Sequence, residues 1–362
     1  MKTVIQILIC LIVPLSLFNQ NLQQDLDALL AAAFKPDQPG GALLVVQSGR
    51  IVYEKAVGIV NLELEEKLTP QTNFRMASVS KQFTAMAILL LEKQGKLSFD
   101  DPLTRFFPDF APIGARITVG QLLTHSSGIW AYESVMDDNL TEQLSDADVL
   151  NLIKGIDNTY FEPGTAFRYS NSAYCLLALI VERVSGQPFP AYLKKHIFRP
   201  LGMKNTLVYE AGKRIRNRAY GYARDDQGNL FFSDQSPTSA TKGDGGMYTS
   251  LEDYMKWHLA LQTNRLINLE KALDKVNAPL PGNNGRYGAG WFFKKEGDLE
   301  MFHSGSTCGF SNMVIRIPDT GVMVAFFSNI AGNHEAFYPI FDRLRKAGIL
   351  RSDIRAWHAA TD

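Results

Sequence analysis

The chain of 362 residues has little cysteine, three in all, and its six histidines stand singly. So few cysteines give no disulfide framework. No Cys/His group falls at metal-ligand spacing, so neither a metal centre nor any other cofactor is expected. Net charge is missing too. Lys+Arg and Asp+Glu number 37 each, which removes the long-range field that nucleic-acid binders use to hold a polyanion. There is no internal repeat or low-complexity tract, and no apolar run reaches the roughly 20 residues needed to span a bilayer. The nearest approach is MKTVIQILICLIVPLSLF, residues 1–18, with one early lysine, a short apolar run and then the polar stretch NQNLQQDLD. That order is a secretory signal peptide's. It predicts a periplasmic or secreted protein with no stable membrane span after cleavage, and it removes Lys2 and Cys10. Cys10 follows Ile9 rather than a small residue, which argues against lipidation. Cys175 and Cys308 are expected as free thiols rather than a bridge. The class left open is a protein acting on a small uncharged or zwitterionic molecule or a short peptide.

What the sequence does contain is organised from its ends inward. ALLVVQSGRIVYEKAVGIVN has two apolar stretches around Gln47-Ser48-Gly49-Arg50, and NMVIRIPDTGVMVAFFSN repeats the pattern around Pro318-Asp319-Thr320-Gly321. Both predict hairpins. NHEAFYPIFDRLRKAG predicts a closing helix. The middle is mostly helical: ITVGQLLTHSSG, DADVLNLIKGI, NSAYCLLALIVERVSG and PAYLKKHIF, separated by Gly, Pro and Ser. Gly186 sits at a helix C-cap position, and Ser250-Leu-Glu-Asp253 reads as a capping box. The expected fold is α/β of the α+β kind, with a central antiparallel sheet built from both terminal segments and flanked by helices. The expected division is a leader over 1–18, a sheet domain over 19–95 and 245–362, and an inserted helical domain over 96–244.

RMASVSKQF, residues 75–83, carries the first chemical signal. Val79, Phe83, Met86 and Leu90 recur at helical spacing, and residues 85–91 are continuously apolar, so a helix buried nearly all round is predicted, ending at Gly95. Ser78 and Lys81 then share one face of its first turn. A lysine there is doubly disfavoured, by the helix N-terminus and by burial. Both effects work against the charged form, so the amine is expected to accept a proton from the serine hydroxyl. Free N–H groups at the helix start face any oxyanion that develops. A second Ser-x-x-Lys, Ser239 to Lys242, has no apolar helix behind it and is set aside. Tyr169-Ser170-Asn171 puts a phenol and an amide at the entrance of the next long helix. His303-Ser304-Gly305 opens a strand whose edge can offer backbone groups to a peptide-like substrate.

Ser78 with Lys81, Tyr169 with Asn171, and His303 with Gly305 follow in this order, accompanied by ITVGQLLTHSSGI, PGTAFRYSN, GGMYTS and HSGSTCGFSN. From about Gly41 to Asn329 the sequence resembles the penicillin-recognising serine hydrolases: class C β-lactamases, D-Ala-D-Ala carboxypeptidases and related esterases and D-amino-acid peptidases. The resemblance implies an acylated nucleophile at Ser78 with Lys81 as its partner. It implies Tyr169 as the general base, alone or shared with Lys81, and Asn171 as a ligand of the acyl amide or of Lys81. It puts the oxyanion between the N–H groups of Ser78 and Ser306. His303 replaces the lysine that opens the third motif in most class C β-lactamases, which weakens the permanent positive charge for a β-lactam carboxylate. Ser304 retains a hydroxyl for that carboxylate. His125, in THSSGI, is read as a brace for its loop, Trp130 and Tyr132 as cleft wall or packing, and GDGGM as a tight turn. The activity expected is hydrolysis of a small amide or ester, that is a D-amino-acid peptide, a peptidoglycan stem peptide or a simple ester. A non-turnover penicillin or cell-wall-peptide sensor and a dedicated class C-like β-lactamase stay open as alternatives.

Overall fold

The structure, a computed structural model, describes residues 15–353 and 355. The expected leader lies outside the described residues as far as residue 14. Both ends of the chain build one antiparallel sheet. Its strands are β1 (Gly41–Gln47), β2 (Arg50–Val57), β3 (Ala278–Pro279), β4 (Arg286–Gly288), β5 (Trp291–Glu296), β6 (Asp298–Thr307), β7 (Phe310–Ile317) and β8 (Val322–Ser328). In space they run β2-β1-β8-β7-β6-β5-β4-β3. β1 pairs with β8 from Gly41↔Ser328 to Val46↔Met323, so the terminal segments meet inside the sheet. Both expected hairpins form. β1 is buried at every position but its last, which is why its sequence is a continuous apolar run rather than an alternation: both faces of the sheet are covered.

The longer helices around it are α1 (Leu15–Ala33), α2 (Lys81–Lys93), α3 (Asp146–Ile153), α4 (Asn171–Ser185), α5 (Leu251–Gln262) and α6 (His334–Lys346). Neighbouring residues of a strand point to opposite faces, and Phe326 and Phe327 of β8 show which helix lies where. Phe326 packs on Phe34, just after α1, and on Phe337 of α6, while Phe327 packs on Tyr254 of α5 and on Phe74. Leu22, Leu26 and Leu30, one helical turn apart, are the buried stripe of α1. The Phe74 side carries α2, which is buried along most of its length and packs against α4, itself packed on α3. The amide oxygen of its buried Gln82 is satisfied, because Tyr254 Oη and Trp257 Nε1 both donate to it. Among the described residues no helix is long and apolar enough to cross a membrane.

Two local expectations are corrected. The helix read in ITVGQLLTHSSG is only Val119–Leu123, because His125 (φ 55°) and Gly128 (φ 66°) turn the backbone left-handed. Ser250 caps α5 by accepting from Asp253 N–H, but the box is half-made: the Asp253 carboxylate takes the N–H groups of Asn205 and Thr206 instead. Gly186 ends α4 with φ 67°, as expected. Cys175 and Cys308 are free thiols.

Candidate active site

The chain reaches Ser78 through a short strand, Phe74–Arg75, paired with Thr249 and Tyr248. Ala77 then takes φ 48°, a conformation that costs a residue with a Cβ of order 1 kcal/mol or more. A 3₁₀ turn, Ala77–Ser80, leads directly into α2. Its first bond runs from Val79 N–H to Met76 O, 3.2 Å, which leaves the Ser78 N–H ahead of it. Lys81 is 0% exposed, and its Nζ lies 3.1 Å from Ser78 Oγ, 2.8 Å from Asn171 Oδ1 and 2.8 Å from the main-chain oxygen of Asp244. The two carbonyl oxygens can only accept, so each takes one amine hydrogen in either protonation state. The third direction points at Ser78 Oγ. There an ammonium donates, and a neutral amine receives the hydroxyl hydrogen. The rings of Tyr169 and Tyr174, 4.9 and 5.6 Å from Nζ, complete the surroundings.

Asn171 opens α4, whose N-terminus is capped by the Ser170 side chain on Ala173 N–H. Its Nδ2 donates to Glu133 at 2.7 Å, which orients the oxygen toward Lys81. Tyr169 is half-buried, and its Oη is a buried atom with no hydrogen-bond partner. His125 stacks on the Tyr169 ring at 4.2 Å and accepts from Ser170 N–H through Nδ1. Burial, then the charges of Lys81 and His303, hold its pKa well below the usual value. His125 is therefore a neutral ring, and the segment it braces is that of Tyr169 and Ser170, where the sequence had suggested a brace for its own loop.

His303 is 1% exposed. Nδ1 donates to Ser304 O at 2.6 Å, and in the neutral ring Nε2 accepts from Tyr287 Oη at 3.1 Å. A histidine expected beside a substrate carboxylate thus has both nitrogens engaged within the fold, 6.2 Å ring to ring from Tyr169. Alternation along β6 places Gly305 on the same face as His303. A Cβ on Gly305 would lie 2.3 Å from Met76 O and 3.2 Å from both Ser78 N and Val79 N. Only glycine lets β6 come this close to the serine turn. Asn312, opposite Gly305 on β7, ties the two together by donating to Arg75 O at 2.9 Å and reaching Gly305 O at 3.4 Å. β5 pairs with β6 only as far as Phe302, so residues 304–307 have a free edge next to Ser78. Ser304 is half-buried and Ser306 exposed.

Sequence reasoning found Ser78, Lys81, Tyr169, Asn171 and Gly305, which the fold brings together. It missed the Asp244 carbonyl, Glu133, Tyr174, Tyr287 and Asn312. Of these Asp244 and Asn312 lay in stretches already singled out, GDGGM and HSGSTCGFSN, but nothing in either marked the contact it makes. A cavity of about 510 Å³ lined by Pro190, Phe198, Met203 and Val208 includes none of these residues.

A sheet closed by both chain ends, a helical layer against it, and a Ser-x-x-Lys turn pressed on a free strand edge define the β-lactamase and penicillin-binding class of fold. The chain belongs to the Beta-lactamase family, whose model matches residues 18–348. It is 30% identical to penicillin-binding protein 4* of Bacillus subtilis (strain 168), over 86% of this chain and 72% of that one. It is 28% identical to protein flp of Staphylococcus aureus (strain MW2) over 86% of this chain, and spans 64% of the length of that protein. A solved D-amino acid amidase from Ochrobactrum anthropi SV3, complexed with L-phenylalanine, superposes with a TM-score of 0.74 at 26% identity, covering 91% of this chain and 98% of that one. These likenesses place the chain among hydrolases of the β-lactamase fold.

Proposed function

We propose that the protein is a serine hydrolase that forms an acyl-enzyme on Ser78 and cleaves small amides or esters. The observation that carries this reading is the Lys81 amine, 3.1 Å from Ser78 Oγ with its other two directions held by carbonyl oxygens. As Ser78 Oγ bonds to the substrate carbonyl carbon, its proton passes to the Lys81 amine or is shared with Tyr169 by relay, the unpartnered Oη accepting one proton as it gives up its own toward the leaving group. The N–H groups of Ser78 and Ser306 receive the developing oxyanion. One proton leaves with the departing amine or alcohol, and water then releases the acyl group. A peptide-like acyl chain would pair with the free edge of β6, with Ser304 and Asn171 as its polar contacts. The D-amino acid amidase supports an amide of a D-amino acid, a D-amino-acid peptide or a peptidoglycan stem peptide as substrate, with simple esters as surrogates.

The test is to incubate the protein and Ser78→Ala with a fluorophosphonate probe, p-nitrophenyl esters, D-amino-acid amides and a chromogenic β-lactam. Labelling and ester or amide turnover in the wild type, with neither in Ser78→Ala, is expected. Undiminished turnover in Ser78→Ala eliminates the mechanism. Labelling without turnover of any substrate replaces it with a penicillin or cell-wall-peptide sensor, and a preference for the β-lactam replaces it with a β-lactamase.

A further inference from the structure

Behind Lys81 lies a second group of ionisable side chains, to which the reaction above gives no part. Asp146, at the start of α3, is 5% exposed, Asp244 6%, and Cys175 of α4 0%. One oxygen of each carboxyl and the Cys175 sulfur all lie within 4.8 Å of one another. Asp146 accepts from Lys242 N–H at 3.1 Å and Gly243 N–H at 3.0 Å. Asp244 Oδ1 is buried with no partner at all. The segment Lys242–Gly246 is clamped on every side: Thr84 Oγ1 donates to Gly243 O at 2.7 Å, Lys81 to Asp244 O, and a Cβ on Gly243 would fall 2.1 Å from Tyr174 O.

Two ionised carboxylates at this separation, away from water and with an oxygen left bare, cost several kcal/mol. We propose that Asp146 and Asp244 form a buried acid pair that retains one proton at near-neutral pH, and that this pair is a positioning element for the carbonyl that grips Lys81. The inference rests on Lys81 serving Ser78. Protonated, the pair carries one negative charge, and the loop stays seated on the backbone N–H groups Asp146 accepts. Doubly ionised, it puts a second charge against the same loop. Burial pushes the Asp146 carboxyl up to about 7, with Asp244 adding to the rise and the Gly243 and Lys242 N–H groups opposing it. The other groups facing the pair are Cys175, whose thiol burial pushes well above its usual range, Lys81 from α2, Tyr132 and Glu133 from the 132–134 turn, and Lys242 itself.

Infrared spectroscopy across pH 5–8 reads the proton directly. The wild type is expected to show a carboxylic-acid band that titrates near pH 7, and Asp146→Asn to lack it. Asp244→Asn, which removes only the like charge, is expected to keep the band and lower its midpoint, and it serves alone should Asp146→Asn not fold. The wild-type kcat/KM profile is expected to carry an inflection at the band's midpoint, where the pair gains its second charge, and this inflection is expected to disappear in Asp146→Asn and to move down with the band in Asp244→Asn. A merely structural role would lower the rate without removing or moving the inflection. No titrating band in the wild type overturns the pair, whatever the fluorophosphonate result at Ser78. A stoichiometric divalent metal in the purified protein, with a band appearing on its chelation, also overturns it in favour of a cation site. A band that behaves as stated with no matching inflection in the kcat/KM profile overturns the link to Lys81.

Discussion

Gly305→Ala tests whether the contact between β6 and the serine turn positions the chemistry. The new methyl would sit 2.3 Å from Met76 O, and ordinary contact begins near 3.4 Å, so strand and turn must part by about 1 Å. That displacement falls between the N–H groups of Ser78 and Ser306. A 1 Å misplacement at a reacting centre costs roughly 10²-fold, about 2.7 kcal/mol of transition-state stabilisation. Overpacking also costs about 1–3 kcal/mol of stability, so Tm and circular dichroism are measured beside kcat/KM for a p-nitrophenyl ester. The control is Gly155→Ala, where a Cβ meets nothing within 4 Å and φ is not positive. The expected result is a folded Gly305→Ala protein with a rate about 100-fold down, most of it in kcat, and an unchanged Gly155→Ala. A folded Gly305→Ala protein with more than about half the wild-type rate would refute the argument that this close approach builds the oxyanion site.

Tyr169→Phe keeps the ring that faces Lys81 and removes an Oη with no hydrogen-bond partner. It is expected to lower acylation by roughly 10²–10⁴-fold with little change in KM or Tm, and a rise in KM alone would make Tyr169 a binding residue. His258, 0% exposed and accepting from Arg316 Nε at 3.2 Å, has its pKa lowered to about 3 by burial and then by Arg316. Because the folded pKa lies below the unfolded one, stability is full above about pH 6.5 and falls as pH drops toward 3. Urea denaturation should find the wild type about 2–3 kcal/mol less stable at pH 4.5 than at pH 7 through this group, and His258→Gln should lose that part of the slope. An equal slope in the two proteins would show that His258 is not the acid-sensitive group.

The fold was legible because its signals are local and periodic. The two hairpins announced themselves by turn residues between apolar runs, and Gly186 and Ser250 by the caps they make. The Ser78–Lys81 pair was legible for a stronger reason than the helix assumed. Ser78 lies in a 3₁₀ turn and Lys81 caps it with its N–H on Ser78 O, and three residues per turn bring positions i and i+3 into line. What could not be read are partners that have no side-chain signature or come from far along the chain. The Asp244 acceptor is a main-chain atom, which any residue would supply. Glu133 meets Asn171 across 38 residues, and Asn312 reaches Arg75 across 237.

His303 shows where motif reading and structure part company. As a residue type it suggested a weak positive charge facing substrate, but its place on β6 was set by pleat and register, which the motif does not encode. Alternation puts it on the Gly305 face, under the aromatic rings, where Tyr287 and Ser304 O take both nitrogens. Lys81 meets the same burial with the opposite outcome. Three oxygens converge on its amine, one of them the serine's, and they offset much of the cost of burying it. Of these two buried basic side chains only Lys81 has the Ser78 hydroxyl among its partners, since the hydroxyl beside His303 is that of Tyr287. Which basic residue stands beside the serine is therefore decided less by which basic residues the motifs contain than by which of them the backbone brings to Ser78 Oγ.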